Sequence, residues 1–223
     1  MSIIKILFGK QPKEKPLPTH SVEDLKQIVK ILFVDDSSVK MADWLEKKDG
    51  WRNVTKIKDV SSLSQKEVRE AHIIFVDIQG VGKAMNFKEE GLELIVALKE
   101  RYPEKKIVMY SAESNGQIDA FHKAGDLVDG RLRKSADLYE FSTMTERLAK
   151  DAFCFDNCVL HICEVLRKEL KVEKSKTEVE RVVKQIYNDN LYEDKLSIAE
   201  AFNLSNVGSV ASIIQLLLIP ISK

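Results

Sequence analysis

Apolar positions in this chain follow two rhythms, and the change from one to the other divides it. In the first 150 residues, short apolar runs end abruptly in polar or charged groups. Ile31-Leu-Phe-Val is followed by Asp35 and Asp36, Ile73-Ile-Phe-Val by Asp77, and Ile107-Val-Met-Tyr by Ser111. Each reads as a buried strand whose carboxyl end reaches the surface. A strand at 54–60 alternates with lysines, and a fifth is expected at 128–133. Helical spacing fills the intervals. Val39, Met41, Ala42 and Leu45 mark a helix over 37–48, stopped by Asp49-Gly50. Others are expected at 64–71, from Gly91 onward, at 117–124 with Gly125 as its terminator, and at 136–150. Strands alternating with helices across short loops imply right-handed crossovers and a parallel sheet covered on both faces. The predicted fold class is α/β, a doubly wound five-stranded parallel sheet followed by a small all-α domain.

From Asp151 onward the strand rhythm stops. Phe155, Val159, Ile162, Leu166 and Leu170 lie on one helical face. Ser175-Lys-Thr-Glu178 has capping-box form ahead of Val179, Val182, Val183 and Ile186. Two further helices are expected at 196–202 and 207–218. The predicted divisions are an arm and linker at 1–28, a sheet domain at 29–150 and a helical domain at 151–223. The boundary near 150 is compatible with one continuous helix across it. The arm opens with Ile3-Ile-Lys-Ile-Leu-Phe8, an extra strand or docking arm rather than a membrane contact. It is too short and too charged for a secretion signal. The prolines and lysines of 9–18 make a linker, and Ser21-Val-Glu-Asp24 resembles a capping box opening a brief helical turn.

Bulk composition narrows the class without naming a partner. The 223 residues are 44% hydrophobic and 31% charged, with 35 lysines and arginines against 35 acidic groups. A balanced charge points to neither nucleic acid nor a membrane surface. Cys154, Cys158 and Cys163 fit reduced thiols in a cytoplasmic protein better than a disulfide framework. Cys154, Cys158 and His161 share a helix face, but an apolar setting and the lack of a fourth ligand favour core packing over a metal site. A phosphotransfer role for His161 is disfavoured by the same apolar surroundings.

The chemistry gathers at strand ends. Ligands of open α/β sheets bind at the carboxyl edge. Asp35, Asp36 and Asp77 placed there would repel one another unless a hard cation such as Mg²⁺ sat between them. In order along the chain, Ile31-Leu-Phe-Val-Asp-Asp-Ser37, Ile74-Phe-Val-Asp77, Gly91-Leu-Glu-Leu, Met109-Tyr-Ser-Ala-Glu113, Ala124-Gly and Leu132-Arg-Lys134 resemble the receiver domain of two-component response regulators. The resemblance covers just over half the chain. It implies a flavodoxin-like fold in which Asp77 accepts a phosphoryl group from a histidine kinase or phosphotransfer protein. Asp35, Asp36, Asp77 and the Gln79 backbone carbonyl would hold Mg²⁺, while Ser111 and Lys134 would contact phosphoryl oxygens. It also implies a signalling protein rather than an enzyme, beyond self-phosphorylation from a phosphodonor and self-dephosphorylation. Gln79 and Glu113 would flank the attacking water.

Several positions depart from the family pattern. The 80–90 loop is longer than usual and is expected to overhang the site. Ser135 stands where the family has proline, so a cis peptide is not expected there. Arg131 replaces the common aromatic switch residue, which points to a different readout.

The helical domain is expected to pack internally or across a homodimer and to signal to a protein target. Leu196 to Ser205 faintly resembles the start of a helix-turn-helix, which makes a DNA-binding regulator using 196–218 the alternative. The following helix carries no lysine or arginine, and 151–223 holds nine basic against eleven acidic residues, which argues against DNA. A phosphorylation-independent pseudo-receiver is the third reading. The uncharged stretch 201–222 carries too many polar groups for a membrane span.

Overall fold

The structure, a computed structural model, describes residues 15–37, 39–112, 123–205 and 207–219. The apolar opening at 3–8, most of the 117–124 helix and Glu113 lie outside them.

Five strands form the expected sheet: β1 (Lys30–Val34), β2 (Asn53–Ile57), β3 (Ile73–Asp77), β4 (Lys106–Ser111) and β5 (Gly130–Arg133). All neighbours are parallel, in the order β2-β1-β3-β4-β5. That is the flavodoxin-like order, whose direction reverses between β1 and β3. Central strands of such a sheet are buried on both faces, which explains their unbroken apolar runs. β3 is buried at every position, whereas edge strand β2 has none buried.

Alternate side chains of the central strands go to opposite cores. Ile31, Phe33, Ile73, Phe75, Val108 and Tyr110 face one side. There they meet α1 (Val22–Ile28), α2 (Lys40–Lys47) and α6 (Leu138–Ala152). Leu32, Val34, Ile74, Val76, Ile107 and Met109 face the other. That side is covered by α3 (Lys66–Glu70), α4 (Glu90–Arg101) and α5 (Lys123–Leu127). The α1 start is the anticipated capping box, with the Asp24 amide donating to Ser21 Oγ and the Ser21 amide to Asp24 Oδ2.

One terminator was misplaced. Gly125 lies inside α5 instead of ending a helix. A Cβ there would come within 2.6 Å of Arg131 Nη2, so the glycine makes room for the arginine.

Residues 155–218 bury a separate apolar cluster. It is built by α7 (Phe155–Lys168), α8 (Lys176–Asn188), α9 (Lys195–Phe202) and α10 (Gly208–Leu218). Val159, Ile162 and Leu166 of α7 meet Val179, Val183 and Ile186 of α8 in that cluster. The chain is not one helix through residue 150: Phe153 ends α6 and Cys154 caps α7. Cys154 is exposed while Cys158 is buried, so core packing does not hold for all three free thiols. No helix among the described residues is long and apolar enough to cross a membrane.

Candidate functional site

Register places the acidic residues together. Val34 of β1 pairs with Val76 of β3, so Asp35 and Asp77 emerge side by side at the carboxyl edge, where the strand order reverses. Among the described residues, Asp35, Asp36 and Asp77 are the group whose ligand atoms come within 4.8 Å of one another. Asp35 and Asp77 are buried, and Asp36 faces solvent. Two glycines shape the rim. A Cβ on Gly80 would fall 2.2 Å from Asp36 Oδ2, and its φ of +82° suits glycine alone. A Cβ on Gly91 would fall 1.9 Å from the Asp77 carbonyl oxygen, so only glycine lets α4 start against the end of β3.

Lys134, just beyond β5, reaches back into the pocket. Its Nζ lies 2.6 Å from Asp77 Oδ2 and 2.8 Å from Asp35 Oδ2. Its backbone amide donates to the Ser111 carbonyl at 2.7 Å, tying the ends of β4 and β5 together. Ser111 itself is buried at the end of β4. The Gln79 amide donates to Asp77 Oδ1 at 3.3 Å. Every described peptide bond is trans, Ser135 included.

The two buried carboxylates are in different electrostatic states. Burial works against charge on Asp35, but hydrogen bonds from Lys134, Ser37 and Tyr110 outweigh it and hold its pKa at about 2. For Asp77 burial dominates. Lys134 offsets it only in part, Asp35 adds repulsion, and the pKa stays above the ordinary aspartate value. The Lys134 ammonium bridges the two buried carboxylates. Three carboxylates, one open to water, are the hard-oxygen donor set that suits Mg²⁺.

The receiver resemblance had not marked Tyr110. It faces Asp77 across the β3–β4 ladder, and its hydroxyl donates to Asp35 Oδ2. A signal was present, since a tyrosine inside an otherwise aliphatic buried strand needs a partner for its hydroxyl. A cavity of about 200 Å³ lies beside it, lined by Asp35, Val39, Met41, Lys134 and Phe141 among others.

Gly80, the first residue of the 80–90 loop, lies against Asp36. Val81 is buried, and Met85 and Phe87 pack on the core cluster of α4. Asp59 accepts the amides of Gly82 at 2.5 Å and Ala84 at 2.9 Å, while Glu90 accepts that of Gly80 at 2.5 Å. The Lys88 and Glu89 amides donate to Glu93 Oε2 at 2.9 and 3.4 Å, so among the described residues the loop is tied to Asp59, to α4 and to that core.

His161 does not stand on an exposed face. Its ring approaches Glu104, with Nε2 4.0 Å from Oε1, and burial together with Lys105 lowers its pKa to about 4.

The sheet domain is similar to receiver domains of response regulators. The receiver domain of NtrX from Brucella abortus matches at 25% identity and a TM-score of 0.44, over 54% of this chain and 98% of that one. A response regulator from Thermotoga maritima matches at 20% identity and 0.41, over 54% and 97%. A CheY-like receiver domain protein from Methanospirillum hungatei JF-1 matches at 15% identity and 0.42, over 56% and 97%. No family model and no curated protein matches the sequence. The receiver likeness thus spans just over half of the chain.

Proposed function

We propose that this chain is a phosphorylation-dependent response regulator whose acceptor is Asp77. The observation that carries it is the convergence of Asp35, Asp36, Asp77 and Lys134 at the point where the sheet order reverses. Residues 29–150 act as the receiver. Residues 151–223 act as a helical output or dimerisation domain that signals by protein contact.

In the transfer, an Asp77 carboxylate oxygen bonds to phosphorus while the bond from phosphorus to the donor breaks. The donor is the imidazole nitrogen of a phosphohistidine, or acetate in the case of acetyl phosphate. Anion must meet anion, so positioned positive charge supplies most of the catalysis. Asp35, Asp36, Asp77 and the Gln79 carbonyl are the groups that would hold Mg²⁺, which when bound neutralises phosphoryl oxygen charge. Lys134 already touches Asp77 and needs only a short movement to pair with a phosphoryl oxygen. Ser111 offers its hydroxyl to another. The raised Asp77 pKa reflects a carboxylate poorly solvated by water, and such a group reacts once the repulsion is offset.

Incubation with Mg²⁺ and acetyl phosphate should add one phosphoryl group by intact mass. The addition should vanish in Asp77→Asn and in the absence of Mg²⁺. Label persisting in Asp77→Asn would move the acceptor elsewhere. No label from any donor would leave an interaction module that works without phosphorylation.

A further inference from the structure

Tyr110 is 2% exposed at the end of β4. Its ring is held edge-on by Phe33 at 5.9 Å and Phe75 at 6.3 Å, which fixes the direction of the hydroxyl. That hydroxyl donates to Asp35 Oδ2, the oxygen also 2.8 Å from Lys134 Nζ. Asp35 Oδ1 accepts the Ser37 amide at 2.8 Å and the Ser37 hydroxyl at 2.5 Å. An ionised carboxylate has about four lone-pair sites, and here four donors occupy them. Of the four, Lys134 is the one that an arriving cation would displace by charge repulsion, and it is already shared with Asp77. Its departure leaves Asp35 gripped by Tyr110 on one oxygen and Ser37 on the other, with one lone pair released.

We propose that Tyr110 is a positioning residue for the cation site. It locks Asp35 so that the lone pair vacated by Lys134 is directed to Mg²⁺ or to a water on it. This rests on reading Asp35, Asp36 and Asp77 as the cation pocket. Partners that orient a metal-binding carboxylate change metal affinity by about 10–100-fold when removed. Phenylalanine fits the same space and lacks only the oxygen, so packing against Phe33 and Phe75 is retained.

The test is Mg²⁺ titration by calorimetry on the full chain, comparing wild type, Tyr110→Phe, Asp35→Asn and the double variant. Tyr110→Phe should bind Mg²⁺ about tenfold more weakly or worse. In acetyl phosphate labelling, its half-saturating Mg²⁺ should rise by the same factor while the rate at saturating Mg²⁺ recovers. Adding Tyr110→Phe to Asp35→Asn should cost nothing further, because the group it positions is already altered. A merely structural role predicts equal losses in both backgrounds, and that result would overturn the proposal. So would unchanged Mg²⁺ affinity in Tyr110→Phe beside a normal wild-type titration. Absence of any Mg²⁺ response in the wild type would instead overturn the cation pocket, and the role of Tyr110 with it.

Discussion

Asp35 and Asp77 share a side-chain type and a sheet edge, yet their surroundings push them in opposite directions. The Asp35 pKa falls from 3.8 to about 2, which corresponds to about 2 kcal/mol of stability. That contribution is present above the unfolded value and is lost as pH falls from about 4 towards 2. Asp77 works the other way. Its raised pKa makes the charged form a cost at neutral pH, and the cost disappears in acid. In a metal-free buffer at pH 7, Asp35→Asn should therefore lower the unfolding free energy by about 2 kcal/mol, and Asp77→Asn should raise it. Urea titrations at pH 7 and pH 3 check both signs, since the difference between the two variants should narrow in acid. The pocket residues themselves were readable in the sequence, because aspartates stand where apolar strands end. The direction of each pKa was not, because it depends on burial and on Lys134, which stands just beyond β5 and 57 residues after Asp77.

At the scale of elements, the 80–90 loop is held by a side chain from outside it. Asp59, just after β2, accepts two of its amides, and the Gly82 amide is buried. Asp59→Ala would leave that donor without its charged partner, at a cost of about 1–3 kcal/mol. The expected outcome is a drop of that size in denaturant titration, together with faster hydrogen exchange at 82–84. Unchanged exchange would mean that the buried Val81 holds the loop without help. Periodicity located β1, β3 and β4 well, since strands buried on both faces are apolar without interruption. It failed at α5, where a glycine making room for Arg131 resembled a helix stop. It also placed Cys154 on one helix face with Cys158 and His161, although Cys154 lies outside the helix as its exposed cap.

For the molecule as a whole, the joint between sheet and bundle is polar and titratable. Asn157 of α7 donates to the carbonyl of Glu104 at 3.0 Å and accepts from Lys106 at 2.9 Å, while Lys168 donates to the carbonyl of Arg101. The Phe153 ring meets the edges of His72 and His20, and His20 Nε2 is 2.7 Å from the Leu216 carbonyl oxygen. Burial first, then Lys105, lowers the pKa of His72 to about 3 and that of His161 to about 4. Both histidines stay neutral in the fold after the unfolded chain has taken up protons. Stability should therefore fall as pH drops through 6.5 and below, by at most about 1.4 kcal/mol per pH unit for each histidine. Glu104, whose pKa burial raises, opposes this by taking up a proton early, so the slope should ease as pH approaches the ordinary glutamate range. Denaturant titrations at pH 7, 6 and 5 check the slope, and replacing either histidine by glutamine should reduce it.

The amino-acid sequence alone determined the sheet, its helical cover, the all-helical half and the acidic pocket. All of these follow from local periodicity and from polar residues placed at the ends of apolar runs. Only the tertiary structure decided which donors saturate Asp35, where the long loop is anchored and what His161 faces. Those outcomes depend on strand order and on the packing of α7 against the loop between α4 and β4. Residues far apart in the chain meet there, and no local pattern records which of them will touch.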